Sequence, residues 1–218
     1  MEEMKEVRIP LIGEKAPDFE AVTSMGKKKL SDFLGKWVVL FSHPADFTPV
    51  CTTEFAAFAE KQDEFKKRNV QLIGLSIDSV YSHIAWIREI EKYFGFKVQF
   101  PVIADLDMNV AHLYGMIHPG SGKTATVRTV FVIDDKGTVR AILYYPASNG
   151  RNIEEILRLV DALQYTDSHG VATPANWKVG EKVIVPSPST VEDAEKRMKE
   201  DYEKIDWFLA FKKYENKK

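Results

Sequence analysis

The sequence contains one cysteine, Cys51, in a segment whose other residues could support its chemistry. The segment SHPADFTPVCTTE spans residues 42–54, so Cys51 follows His43 by eight residues and Thr48 by three. A cysteine acts as a nucleophile or a metal ligand only in its thiolate form. The chemistry of this segment therefore depends on whether it favours the charged sulfur.

Thr48 and Pro49 predict the start of a helix just before Cys51. Threonine is a preferred N-cap, and proline suits the first helical position because an N–H would be unpaired there. Cys51 then falls in the first turn, where free backbone N–H groups and the helix dipole stabilise a thiolate. A buried structural cysteine is the competing interpretation, since free cysteine is among the most buried residue types. The Thr-Pro start favours the reactive cysteine.

Two other chemistries of the sulfur find less support. Acyl transfer needs a base beside the nucleophile, and His43 is the one local candidate, but nothing nearby marks an oxyanion hole. A zinc site needs three or four convergent ligands. We predict no metal, because the other histidines lack ligand spacing; they are His83, His112, His118 and His169.

Two short apolar runs, WVVLF (37–41) and LIGLSI (72–77), predict strands that are buried on both faces. A helix is predicted between them, because apolar residues recur at helical spacing and KKR ends the segment. Its predicted stripe is Phe55, Phe58, Ala59, Gln62 and Phe65. Units of this kind are almost always right-handed crossovers between parallel strands.

The pattern continues with a second helix over roughly 81–94 and then a hairpin. TVFVI (129–133) and TVRAILYY (138–145) are its strands, because Gly137 supplies the positive backbone torsion that a tight connection needs.

Asn152 followed by Glu155 resembles a capping arrangement for a last helix. The apolar stripe of that helix is Ile153, Ile156, Leu157, Val160 and Leu163. The order of elements predicts an α/β fold of the thioredoxin-like sandwich type, with helices on a central mixed sheet.

Composition and charge exclude several classes of protein. With 44% hydrophobic residues among 218, the chain can bury a substantial core. The 30 basic and 32 acidic residues leave a net charge of −2, so we expect no nucleic-acid or membrane partner. One cysteine rules out a disulfide framework. The segment MEEMKEVRIPLIGE lacks a leader pattern and no run of about 18 apolar residues occurs, so we expect a cytoplasmic protein.

A domain boundary is predicted near residue 170, between a thioredoxin-like domain (1–170) and a C-terminal arm (171–218). KVGEKVIVPSPST (178–190) is rich in Pro, Ser and Gly, as a connecting arm would be. Large apolar side chains on such an extension usually find cover at an interface. We therefore expect the arm to pack on another subunit, although it could fold back on its own domain. The large apolar side chains of the arm are Trp177, Trp207, Phe208 and Phe211.

Pro44, Thr48 and Cys51 reproduce the Pro-x-x-x-Thr-x-x-Cys signature of the peroxiredoxins. SHPADFTPVCTTE resembles the version in the one-cysteine branch of that family, the peroxiredoxin-six type, in an archaeal-like form. The resemblance covers essentially the whole chain, because further segments follow in the family's order; they are KAPDFEAVT, FPVIAD, RTVFVID and YYPASNGRNIEEILR.

The resemblance implies a thiol peroxidase for hydrogen peroxide and organic hydroperoxides, with no cofactor. Cys51 would be the peroxidatic nucleophile that becomes a sulfenic acid. Thr48 would exchange hydrogen bonds with sulfur and peroxide, and Pro44 would pack over the sulfur. Arg128 would hold the thiolate and the substrate oxygens with its N–H donors.

Three further residues would support this site. By the resemblance, Glu54 would orient Arg128, and Arg151 would be the second arginine near the pocket. His43 resembles the active-site histidine of this branch, where it contacts the peroxide or a partner thiol. A neutral histidine at a strand end is the alternative interpretation of His43.

The sequence also departs from the family pattern. It has no second, resolving cysteine, and Lys204 and Ala210 stand where archaeal relatives often carry cysteines near an Asp-Trp segment. Cys51 must therefore be recycled by an external thiol or by pairing with another chain. LGKWVVL (34–40) lacks the serine of the phospholipase motif of some members, so that activity is not expected. The family forms homodimers that assemble into rings of five dimers, and a holdase chaperone assembly is the alternative function.

Overall fold

The structure of the chain, a computed structural model, describes residues 9–215. It divides into two compact units, the first ending at Ile153 and the second beginning at Glu154. The boundary expected near residue 170 stays a prediction. Residues 1–8, in which no leader pattern was found, lie outside the described residues. The last three residues of the expected arm, 216–218, also lie outside them. The helices within the described range lack the length and apolar character needed to cross a membrane.

Seven strands of the first unit form one mixed sheet, which confirms the predicted fold class. They are β1 (Glu20–Thr23), β2 (Gly26–Lys29), β3 (Trp37–Ser42), β4 (Val70–Ser76), β5 (Val102–Ala104), β6 (Arg128–Ile133) and β7 (Val139–Tyr145). Their order is β2-β1-β5-β4-β3-β6-β7. The two pairings among β3, β4 and β5 are parallel, while β6 runs antiparallel beside β3.

The predicted strand-helix-strand unit is present. Helix α1 (Pro49–Lys67) connects β3 to β4, and α2 (Val80–Phe94) and a short α3 (Asn109–Leu113) follow. The predicted stripe of α1 is buried except at Gln62, which is half-buried. The Gln62 amide donates to the Lys97 carbonyl and accepts from the Gln99 N–H, so it anchors the loop before β5 instead of filling the core.

The predicted hairpin is also present, with Gly137 at φ +78° in its turn. Asp134 organises this turn, because its Oδ1 accepts the N–H groups of Lys136 and Thr138. The β1–β2 hairpin was not predicted from the sequence. These strands are mostly exposed and β2 reads GKKK, so they lack an apolar pattern.

A layer of aromatic rings packs between β3, β4 and α1. Phe41 of β3 stacks on Phe58 of α1 with ring centroids 4.0 Å apart, and Phe55 lies 5.4 Å from Phe41. Gly74 of β4 lets this layer approach the sheet, since a Cβ there would lie 2.9 Å from Phe55 Cζ. Glycine is thus required at this position for close packing and not for a turn.

The second unit contains more regular structure than the sequence indicated. Helix α4 (Ile153–His169) leads into it, and β8 (Val183–Val185), α5 (Val191–Lys199), β9 (Glu203–Asp206) and β10 (Leu209–Lys212) follow. The three strands form an antiparallel sheet in the order β8-β10-β9. In this sheet Lys204 and Ala210 are paired directly, although they are six residues apart in sequence.

The burial of Trp177 contradicts its predicted place at an interface with another subunit. Trp177 is 0% exposed within its own chain, beside Tyr165 at 5.5 Å, and its Nε1 donates to the Glu181 carbonyl. Its apolar area is therefore already covered by α4 and the segment before β8. Trp207 and Phe208 remain 41% and 50% exposed, whereas Phe211 is half-buried.

We expect Gly74→Ala to lower the free energy of unfolding by about 1–3 kcal/mol, because the added methyl group overpacks the buried ring of Phe55. Chemical denaturation measures the change. Gly120→Ala is the matched control, since a Cβ there meets nothing within 4 Å. Equal stabilities of the two variants would contradict the close packing at Gly74.

Candidate active site

Cys51 lies in the first turn of α1, as the sequence predicts, and its side chain is fully buried. Thr48 occupies the N-cap position with extended backbone, and Pro49 is the first helical residue. The Thr48 hydroxyl, however, does not cap the helix but donates to the Ala45 carbonyl at 2.8 Å. Pro44 lies half-buried in the loop between β3 and α1.

Arg128 reaches the sulfur from the first position of β6. Its Nη1 lies 3.3 Å from Cys51 Sγ and also donates to Glu54 Oε2 at 2.7 Å. Its Nε and Nη2 both donate to the Ala147 carbonyl, at 3.0 and 2.6 Å. These bonds hold the guanidinium plane so that one nitrogen faces the sulfur.

Glu54, one turn after Cys51, joins Arg128 to Arg151. Its Oε1 accepts the backbone N–H and Nε of Arg151, both at 2.8 Å, and its Oε2 accepts Arg151 Nη2 at 2.7 Å. Burial acts to raise the pKa of Glu54, but the hydrogen bonds and charge of Arg151 and the charge of Arg128 outweigh it, so the pKa lies below its usual value. Glu54 is therefore an anion between two cations at neutral pH.

Arg151 is anchored to the sheet as well as to Glu54. Its Nη1 donates to the Ser42 carbonyl at 2.9 Å and to the Thr129 carbonyl at 2.7 Å. These carbonyls lie where β3 ends and β6 begins. The two arginines and the carboxylate are thus fixed to the same edge of the sheet as the sulfur.

His43 is fully buried at the end of β3. Its Nε2 lies 2.8 Å from Asp46 Oδ1, and its ring lies between Phe55 at 4.7 Å and Trp86 at 5.0 Å. Burial lowers the pKa of His43, although Asp46 opposes the shift, so the imidazole is neutral at neutral pH. Its Nδ1 has no hydrogen-bond partner among residues 9–215.

Asp46 and His83 complete a buried group that sequence reasoning missed. Asp46 Oδ2 lies 2.8 Å from His83 Nδ1, and His83 Nε2 lies 3.0 Å from the Ile103 carbonyl. Burial acts to raise the pKa of Asp46, but hydrogen bonds from both histidines hold it far below its usual value. Asp46 could have been proposed as a site residue from its place in the cysteine segment. Nothing in the sequence around His83 on α2 indicates that it lies near this segment.

One group of potential metal ligands occurs among residues 9–215, and it consists of His43, Asp46 and His83. Their candidate ligand atoms lie within 4.8 Å of one another. Sequence spacing did not predict this convergence, since the fold creates it. The facing atoms already pair with each other at hydrogen-bonding distances of 2.8 Å. The geometry is that of a hydrogen-bonded chain.

All seven residues that the sequence singled out for the site lie in the first unit. The structure gathers Cys51, Glu54, Arg128 and Arg151 into direct contact. His43, Pro44 and Thr48 lie in the adjoining segment between β3 and α1. The arrangement can hold an anionic sulfur away from water and stabilise charge on a neighbouring oxygen.

Comparison with known proteins assigns both parts of the chain. The AhpC/TSA family matches residues 12–142, and the C-terminal domain of 1-Cys peroxiredoxin matches residues 162–201. A peroxiredoxin of Aquifex aeolicus is 59% identical over an alignment of 221 positions. The alignment covers 96% of this chain and 100% of the relative.

Solved structures give the same assignment. A yeast mitochondrial 1-Cys peroxiredoxin superposes with a TM-score of 0.84 at 46% identity, covering 94% of this chain and 100% of that one. A cysteine-to-serine mutant of the peroxiredoxin 6 of Arenicola marina also gives 0.84, at 37% identity and with 95% and 99% coverage. The chain belongs to the AhpC/TSA family and, within it, to the 1-Cys peroxiredoxins, which are thiol peroxidases.

Proposed function

We propose that Cys51 is the peroxidatic nucleophile of this chain and that Arg128, Glu54 and Arg151 keep its sulfur ionised. The proposal is carried by the 3.3 Å contact between Arg128 Nη1 and Cys51 Sγ, at a site where Cys51 is 0% and Arg128 2% exposed. Two guanidinium groups and one carboxylate leave one positive charge uncompensated beside the sulfur. A thiolate cancels that charge and a thiol does not.

The thiolate attacks one oxygen of hydrogen peroxide or of an organic hydroperoxide. An S–O bond forms as the O–O bond breaks, and the departing oxygen takes up a proton and leaves as water or an alcohol. Arg128 donates to the oxygens while charge moves between them, and its bonds to the Ala147 carbonyl hold the guanidinium in place for this role. Cys51 is left as a sulfenic acid.

Thr48, Pro44 and His43 complete the substrate pocket in this proposal. The Thr48 proton is engaged by the Ala45 carbonyl, which leaves the hydroxyl oxygen free to accept the O–H of a hydroperoxide. Pro44 shields the sulfur from water. His43 contributes its Nδ1 as a second acceptor.

An external thiol recycles the sulfenic acid. The first thiol forms a mixed disulfide with Cys51 and releases water, and a second thiol releases the reduced cysteine and a disulfide. The similar yeast protein is resolved through glutathione and thioredoxin systems, which supports a reductant of that chemical class here. Such reductants and a lone cysteine suit a reducing compartment, so we propose a cytoplasmic location.

The second unit is proposed to pack on another copy of this chain, giving homodimers that assemble into rings of five. Trp207 and Phe208 support this, since they are 41% and 50% exposed. Val191 and Met198 of α5 are 77% and 46% exposed and line an open apolar pocket together with Trp207. Apolar side chains gathered in this way usually mark an interface.

Arg128→Met should reduce the fraction of Cys51 present as thiolate at neutral pH and slow peroxide reduction by about a hundredfold, because a donor at the reacting oxygens is lost. Glu54 keeps Arg151 as its partner in this variant, so the fold should persist. Thiolate absorbance and stopped-flow mixing with hydrogen peroxide measure the two effects.

Arg140→Met is the matched control for Arg128→Met, because Arg140 lies on β7 and pairs with Asp134. We expect wild-type kinetics from it. A thiolate absorbance that titrates identically in Arg128→Met and in the wild type would refute the role of Arg128.

Limited peroxide should add one oxygen to the intact mass at Cys51, and excess peroxide should add more, because no second cysteine of this chain can trap the sulfenic acid. A small thiol should reverse the first product but not the later ones. Intact-mass spectrometry follows both steps. Turnover of Cys51→Ser at the wild-type rate with the same thiol would show that another group reduces peroxide.

Trp207→Ala combined with Phe208→Ala should weaken the dimer or ring, and light scattering with chromatography measures the change. Tyr81→Ala, which removes an aromatic side chain that is 81% exposed in the first unit, is the control. Truncation after Gly170 is a harsher test, since it also uncovers Tyr165. A full-length chain that elutes as a monomer at micromolar concentration would overturn the oligomer proposal.

A further inference from the structure

Two charged or titratable side chains adjoin the site without a part in the reaction described above. Asp46 and His83 are 7% and 0% exposed, and they continue a hydrogen-bonded chain that begins at His43. Burying a charged group costs free energy unless it is hydrogen-bonded and paired with an opposite charge. Their protonation states can be worked out from their partners.

Both nitrogens of His83 face groups that only accept hydrogen bonds. Its Nε2 faces the Ile103 carbonyl at 3.0 Å, and a carbonyl oxygen only accepts, so Nε2 must donate. Its Nδ1 faces Asp46 Oδ2 at 2.8 Å, and a carboxylate likewise only accepts. Both contacts of His83 therefore call for N–H donors, which is the hydrogen-bonding pattern of an imidazolium.

The same reasoning fixes the tautomer of His43. Asp46 Oδ1 accepts from His43 Nε2 at 2.8 Å, so the single proton of the neutral ring lies on Nε2. Nδ1 then holds a bare lone pair in a buried position, with no partner in the described part of the chain. A buried acceptor without a donor costs free energy, and such exceptions call for a specific explanation.

The surroundings prevent the ring and the carboxylate from adjusting. His43 is held between Phe55 and Trp86, and the Nε1 of Trp86 donates to Thr52 Oγ1 at 3.2 Å. The backbone N–H of Asp46 donates to Asp78 Oδ2 at 2.9 Å, which fixes the loop that carries it. Asp46, His83 and Asp78 act on His43 electrostatically, and the effect of Asp46 is the largest of the three.

We infer that Asp46 and His83 are positioning residues, which hold His43 as its neutral Nε2–H tautomer so that Nδ1 remains available to accept the O–H of an incoming hydroperoxide. The inference rests on the proposed place of His43 in the substrate pocket. Without Asp46 the proton could move to Nδ1, and the acceptor would become a donor. His83 keeps Asp46 ionised and oriented, so it acts on the substrate through two intervening groups.

The imidazole nitrogen signals of the reduced wild-type protein test the protonation states directly by ¹⁵N NMR. We expect His43 to be neutral with its proton on Nε2, and His83 to be doubly protonated. A proton on Nδ1 of His43, or a neutral His83, overturns the inference. Stoichiometric metal in the purified protein, with metal-shifted signals of these histidines, also overturns it.

Two substitutions of Asp46 separate positioning from simple loss of packing. Asp46→Ala removes the acceptor, so His43 should become a mixture of tautomers and peroxide reduction should slow by about tenfold, the scale of one hydrogen bond. Asp46→Asn can accept from His43 Nε2 with its oxygen and donate to His83 Nδ1 with its nitrogen. It should restore the Nε2–H tautomer and most of the rate, while His83 becomes neutral.

His112→Ala is the control, because it removes an exposed histidine from α3 and should leave both readouts unchanged. An unchanged His43 tautomer in Asp46→Ala overturns the inference, as does an Asp46→Asn protein that keeps the tautomer but is as slow as Asp46→Ala. A wild-type protein with the expected nitrogen signals but no peroxide reduction would refute the proposed function alone.

Discussion

Two buried guanidinium groups, those of Arg128 and Arg151, share the single carboxylate of Glu54. The site therefore contains one more positive charge than negative charge before Cys51 is considered. Removing ions from water is costly, and a buried pair is tolerated only when its geometry and hydrogen bonds are nearly complete. Arg151 meets this condition with five hydrogen bonds, to Glu54, Ser42 and Thr129. The charge that remains lies beside Cys51, where the thiolate proposed above would balance it.

The sheet brings these groups together although they are far apart in sequence. Antiparallel pairing of β3 with β6 sets Phe41 opposite Val130, which places the end of β3 beside the start of β6. Arg128 is the first residue of β6, and α1 starts a few residues after β3 ends. One edge of the sheet therefore supplies the cysteine, its arginine and the carbonyls that anchor Arg151.

Local patterns predicted the elements that carry the cysteine, because β3 and β4 are continuous apolar runs and α1 combines helical spacing of apolar residues with a Thr-Pro start. They could not predict the pairing of Asp46 with His83, since that contact depends on how α2 packs beside the loop. The burial of Trp177 was missed for a related reason. The segment before β8 has no periodicity of its own, and the tryptophan is covered by groups such as Tyr165 from another element.

The shared carboxylate also sets an acid limit on the fold. Because the pKa of Glu54 is lowered in the folded chain, its contribution to stability is complete above the pKa of an unfolded glutamate and is lost as the pH falls through the lowered value. A proton on Glu54 would remove the anion that Arg128 and Arg151 share, in a place where water cannot screen the two cations. The ionisation of one glutamate thus decides whether the buried arginines at this edge of the sheet remain paired.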